Sequence, residues 1–251
     1  MNALPITSGP ALRFLIAAAV VFAVGAQVSS QTKKSDSLSL DLGSETVVIP
    51  RPEGLQEVVK RSLLLTFWAS ETPQSDLLAA YVSDSDSELV ERGELPLMHY
   101  YAKIAIPKVR RRRHDSSSVF EAVVAEFRKG TAEYLNTDTA EIKKSLKNLE
   151  QQISKNNSVD AELEISKPKN VGVFNVSPNT YSVLLLSTVK LESGGKEAQR
   201  LVLAGASLVY VKNRILGVTC YRTYESEADL EKMKDSVMKW TNSILAANES
   251  K

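Results

Sequence analysis

The chain predicts an α+β fold: a mostly antiparallel β-sheet with helices packed on both faces and an amphipathic helix at the C-terminus. Three observations predict it. Tyr181–Leu191, Leu201–Val211 and Arg214–Cys220 are consecutive apolar stretches rich in Val, Leu and Thr, as strands are. Ser226–Ile244 switches to helical spacing, with Leu230, Met233, Val237, Trp240 and Ile244 on one stripe. Short strand patterns precede a central helical stretch, and strands then run to the terminal helix, an order that suits layers of helix on sheet.

The strands come first. Leu203 and Val209 point one way, while Val202, Ala204, Ala206 and Leu208 point the other, so this strand is expected to be central and covered twice. Glu192–Lys196 carries paired glycines suited to a tight return. Lys212-Asn213 reads as a two-residue turn, because Asn tolerates left-handed φ. That turn would set Val211 opposite Arg214 and Gly205 opposite Cys220. Gly205 and Gly217 would then leave room for a close helix. Ser226 is placed as the helix N-cap, with Asp229 three residues on. Trp240 is read as a core anchor, not a ligand platform.

Earlier in the chain, Gln27–Gly43 is rich in Ser, Lys and Asp and reads as a flexible leader. A single domain is expected from residue 44 to residue 251. It begins with a short strand at Thr46–Ile49, a Pro/Gly turn at Pro50–Gly54, and strands at Leu55–Val59 and Leu77–Val82. A short helix is predicted over Ser62–Trp68. Ser83–Glu88 reads as a solvated run; without the glycine and terminal Glu of a calcium loop, no calcium is expected. Leu97–Ile106 alternates, with Met98, Tyr100, Ala102, Ile104 and Ile106 inward and His99, Tyr101 and Lys103 outward. Helical spacing then runs from Ser116 through Ile153, as one kinked helix or two in tandem. Ser158–Ile165 alternates again, and Val171–Phe174 leads through Pro178-Asn179 into Tyr181.

Composition bounds function. The chain has 251 residues, 43% apolar and 24% charged, with a formal net charge of +1. The small net charge argues against a general nucleic-acid binder. Arg13 precedes an apolar run, Phe14–Val24, that is short for a bilayer span. Small residues at Val24-Gly25-Ala26 suit signal-peptidase cleavage, so residues 1–26 are expected to be a removed signal peptide, with a retained anchor as the alternative. The expected location is the bacterial periplasm or cell envelope. Cys220 is the single cysteine and forms no internal disulfide; its apolar strand predicts an inert, buried thiol.

No motif for nucleophilic, zinc, phosphate-loop or dithiol chemistry is present. Two histidines exclude a multi-histidine metal site, and no cofactor is expected. The basic stretch Lys108–His114 is the one unusual composition. Arg110, Arg111, Arg112 and Arg113 are the candidate binding residues, because guanidiniums pair bidentately with carboxylate and phosphate oxygens. The plain alternative is a solvated strand-to-helix connection. Two function classes follow. One is a noncatalytic exported module that binds an envelope protein or an anionic membrane surface. The other is a hydrolase assembled from scattered residues. Arginines exposed beside apolar residues favour the first; His99 in a pocket with a carboxylate and a hydroxyl favours the second.

Val47-Val48-Ile49-Pro50-Arg51-Pro52-Glu53-Gly54, Val171-Gly172-Val173-Phe174 and Tyr224-Glu225-Ser226-Glu227-Ala228-Asp229-Leu230 look like landmarks of an uncharacterised family of exported bacterial proteins. The strand, the Pro-Glu-Gly turn and the late strands plus helix also resemble, more distantly, the PsbP-like fold. That resemblance implies an α/β/α sandwich and binding to protein partners. It implies no binding residue, because the landmarks are structural.

Overall fold

The computed structural model describes residues 36–58, 74–91, 99–130, 147, 151, 161–193 and 196–249. Residues 1–26, expected to be a signal peptide, and the helix predicted over Ser62–Trp68 lie outside them, as does most of the helical stretch predicted from residue 131 to Ile153.

The architecture is mixed α+β with a mostly antiparallel sheet and a C-terminal helix. The strands are β1 (Ser37–Leu42), β2 (Glu45–Pro50), β3 (Leu55–Glu57), β4 (Ser75–Ser83), β5 (Tyr100–Pro107), β6 (Ala161–Ile165), β7 (Lys169–Ser177), β8 (Thr180–Ser193), β9 (Lys196–Val211) and β10 (Arg214–Thr223). The helices are α1 (Asp84–Glu91), α2 (Ser117–Gly130) and α3 (Ala228–Asn248). Eight strands form the main sheet in the order β3-β4-β5-β10-β9-β8-β6, with β7 also paired to β8. β1 and β2 form a separate hairpin.

The β9–β10 hairpin has the predicted register: Val211 faces Arg214 and Gly205 faces Cys220. Lys212 and Asn213 take φ of 43° and 57°, the left-handed pair that lets two residues reverse twisted strands. Cys220 is fully buried. A Cβ on Gly205 would lie 2.6 Å from Val237 Cγ2, so the helix rests directly on this strand. Met233, Val237, Trp240 and Ile244 are buried against the sheet, as their spacing requires. Trp240 meets Tyr81 edge-on at 5.5 Å and donates its indole N–H to Pro50 O at 2.8 Å. On the alternate strand positions, Tyr210 stacks on Phe120 at 5.6 Å and Tyr181 meets Phe127 edge-on at 5.8 Å.

Four expectations are corrected. The leader is not flexible to residue 43: Ser37–Leu42 is strand β1, with Leu42, Val47 and Ile49 of the hairpin fully buried. Leu38, Leu40 and Leu42 alternate with polar residues, and β2 and α3 supply the surface they need. Asn248 pins the hairpin by accepting from Val48 N at 2.8 Å and donating to Val48 O at 2.6 Å. The run Ser83–Glu88 is not solvated loop; it opens α1, with Asp86 and Ser87 buried. The Ser83 hydroxyl accepts from Asp86 N at 3.2 Å and donates to Asp86 Oδ2 at 2.7 Å, which closes the N-terminal turn.

Tyr101 and Lys103 do not face solvent. Both are buried, because Tyr101 stacks on its cross-strand neighbour Tyr221 at 4.5 Å and Lys103 Nζ lies 5.2 Å from that ring's centre. Nor does the Ser226 hydroxyl cap α3. Instead the Asp229 carboxylate accepts the backbone N–H groups of Glu225 and Ser226, both at 3.0 Å. Those two donors hold the Asp229 carboxyl below the usual carboxylate range.

Candidate functional site

The basic stretch lies where β5 leaves the sheet. Pro107 ends the strand, and Lys108–Arg110 makes one turn of 3₁₀ helix, with Arg111 N donating to Lys108 O at 3.4 Å and Arg113 N to Arg110 O at 3.0 Å. Ser116 then closes the start of α2, its hydroxyl accepting from Val119 N at 3.4 Å. A tight turn of five cations in six residues must place some of them near each other, and the structure answers with internal acids.

Asp115 is the organising acid. It is fully buried and accepts from Arg110 Nη1 at 2.7 Å through Oδ1. Arg113 Nε stands 3.6 Å from the same oxygen. Asp115 N donates to Asn213 O at 3.0 Å, and Tyr210 donates its hydroxyl to Asp115 O at 3.0 Å, so the turn is strapped to the β9–β10 hairpin. Burial pushes the Asp115 carboxyl up, while the guanidiniums of Arg110, Arg113 and Arg214 pull it down.

Arg214 completes this node. It is fully buried, donating from Nε and Nη2 to Leu42 O at 2.8 and 2.6 Å, and from Nη1 to Arg113 O at 2.9 Å. Gly43, at φ 76°, follows Leu42; a Cβ there would lie 3.3 Å from both Arg214 Nη2 and Arg112 Cα. One buried guanidinium therefore joins the β1–β2 hairpin, the basic turn and the β9–β10 hairpin. Asp115 and Arg214 were missed as partners of the turn, because nothing in the spacing between 115 and 214 announces that they meet. The only hint was an arginine placed directly after a two-residue turn in an apolar strand.

The four candidate arginines do not form one cationic front. Arg110 is turned inward, its side chain only 14% exposed and paired with Asp115. Arg111 pairs with Asp76 at 2.9 Å and is half exposed. Arg113 is 63% exposed and reaches Asp115 only at 3.6 Å. Arg112 is exposed and, among the described residues, has no acidic partner. Val109, 70% exposed, projects between Lys108 and these arginines. What the turn presents is one exposed apolar side chain, Val109, together with exposed Lys108, Arg112 and Arg113.

Among the described residues, no hydroxyl is placed on His99 as a hydrolytic arrangement would need. His99 is exposed and its electrostatic neighbour is Asp86, but the nearby Ser83 hydroxyl is spent on Asp86 and on the α1 terminus. A nucleophile needs its hydroxyl on the base, not on the carboxylate behind it. Among the described residues, no group of three or more His, Cys, Asp and Glu side chains is placed to hold a metal, and no helix is long and apolar enough to cross a membrane. No protein-family model matches the chain, and no curated protein matches it.

Proposed function

We propose that this is a noncatalytic exported protein of the bacterial cell envelope that attaches to an anionic membrane surface through the turn at 108–113. The observation that carries the reading is Val109, exposed in one turn with Arg112, which has no acidic partner among the described residues, and weakly paired Arg113. An exposed valine flanked by cations suits a surface with an anionic face over an apolar interior: the guanidiniums meet headgroup oxygens and the valine enters the acyl boundary. Arg110, turned inward onto Asp115, and Arg111, paired with Asp76 at the surface, hold the turn in shape. An acidic envelope protein is the other surface such a turn would fit, and it is an arm of the test.

The same reading takes the fold as an α/β/α, PsbP-like sandwich. It is supported by Gly205 meeting α3 while Tyr210, at an alternate position of the same strand, meets α2.

The test replaces Arg112 and Arg113 by Gln, and separately Val109 by Ser. Flotation with phosphatidylglycerol vesicles and pull-down from envelope extract are compared at low and high salt. Each cation near an anionic surface is worth about 1 kcal/mol, so the double variant should bind vesicles roughly 30-fold more weakly. Wild-type capture should fall as salt rises. Salt-independent capture, unchanged in both variants, would remove this turn as the attachment site. Mass measurement of the mature N-terminus tests export: cleavage after Ala26 is expected, and an intact Met1 in the membrane fraction would show a retained anchor.

A further inference from the structure

A second cationic site lies away from the basic turn. A groove of about 610 Å³ is lined by the Arg51–Gly54 turn, by Tyr100 and Arg222 of the sheet, and by α3 from Lys232 to Ser243, with Trp240 among its lining. Its volume falls in the range of small-ligand sites. Its cations are Arg51, Arg222, Lys232 and Lys239, against Glu53 and Asp235.

Three of those cations are occupied. Arg51 donates to Asp36 at 2.9 Å and to Gln56 at 2.7 Å. Lys232 stands 3.4 Å from Asp229, and Lys239 stands 3.6 Å from Glu53. Arg222 differs. Its guanidinium lies 4.7 Å from the centre of the Tyr100 ring, and its Nε–H is buried without a hydrogen-bond partner. Among the described residues no carboxylate pairs with it. A partly buried guanidinium with no counter-ion carries a desolvation cost that an ion pair or several hydrogen bonds normally offset. The cation–π contact with Tyr100 holds the guanidinium in the groove lining, where its terminal nitrogens can donate to an incoming oxyanion.

We propose that the groove binds a small soluble ligand joining a carboxylate or phosphate to an apolar body. Arg222 takes the oxyanion, and the body lies against the partly buried Tyr100. Lys232 and Lys239 border the groove and add attraction at longer range. The site is independent of the turn at 108–113, so either can fail alone.

Calorimetric titration of the purified protein with benzoate, phenyl phosphate and inorganic phosphate tests it. Phenyl phosphate should bind more tightly than inorganic phosphate, because only the former has a body to lie against Tyr100. R222Q should weaken binding of the aryl probes roughly tenfold or more, the loss expected for a charge-assisted pair. R112Q should leave it unchanged. K239E, a substitution at a largely exposed side chain, should also weaken binding and serves if R222Q does not fold. The proposal is overturned if neither aryl probe binds the wild-type protein at up to about 10 mM, a limit set by fragment-scale affinity. It is equally overturned if R222Q and K239E bind as wild type, or if R112Q removes the binding. Capture confined to phosphatidylglycerol vesicles, with no soluble probe bound, also overturns it.

Discussion

Substituting alanine for Gly205 adds one carbon where none fits. That Cβ would stand 2.6 Å from Val237 Cγ2 and 2.9 Å from Met233 Cγ. Carbon atoms prefer about 3.5–4.0 Å, so the contact with valine is short by about 1 Å. Met233 can swing its long side chain away. Val237 cannot, because a β-branched residue in a helix has essentially one χ1 rotamer. The helix must therefore lift from β9, and overpacking of this kind costs roughly 1–3 kcal/mol. Gly205 is not among the glycines at positive φ, so alanine recovers about 0.5 kcal/mol or more of backbone entropy and the net loss is roughly 1–2 kcal/mol. Urea unfolding should show a lower midpoint with an unchanged slope. The decisive measurement is the double variant. V237A alone costs roughly 2 kcal/mol as a cavity, but with G205A it removes the clashing methyl, so the two penalties should fall short of their sum by roughly 1 kcal/mol. G205A at wild-type stability, or penalties that add in full, would refute close packing of α3 on this strand.

Three further outcomes are expected. R214M leaves the carbonyls of Leu42 and Arg113 without their donor and deprives buried Asp115 of a compensating charge; it should cost roughly 3–5 kcal/mol in urea unfolding, and a loss below about 1 kcal/mol would show that the node is not structural. Burial pushes the Cys220 thiol up to about 12, with Tyr100 and Arg222 pulling it down, so it should resist a bulky thiol reagent near pH 8 in the native state and react on unfolding. The folded Asp229 carboxyl is held below its unfolded value by the N–H groups of Glu225 and then Ser226. Its stabilisation is therefore present above the unfolded value of about 3.9 and is lost as pH falls through the lower folded value. D229A should be less stable than wild type at neutral pH, with the gap narrowing below about pH 4; a pH-independent gap would show that the charge plays no part.

Local pattern alone determined the elements whose partners are neighbours in sequence. The β9–β10 register followed from one two-residue turn and the period of two, and the α3 stripe followed from its helical spacing. Both hold in the structure because hairpin and helix geometry depend on adjacent residues only. Burial of Trp240 and Cys220 was legible for the same reason. Composition misled where it was weighed above period. Ser37–Leu42 and Ser83–Glu88 are polar enough to read as loop, yet the first carries strand alternation and the second opens with a serine that caps a helix. The tertiary structure decided what long-range contact decides. Tyr101 and Lys103 became interior because Tyr221 lies beside them across the sheet. The arginine run was divided between structure and surface by Asp76 and Asp115, with Arg214 reaching Arg113 O from 101 residues away. Arg222, unremarkable in an apolar strand, lines a groove with no carboxylate partner among the described residues only because α3 and the Arg51–Gly54 turn pack around it. Charge and spacing along a chain state what a side chain can pair with; which acid lies within reach is set by the packing of segments far apart in sequence.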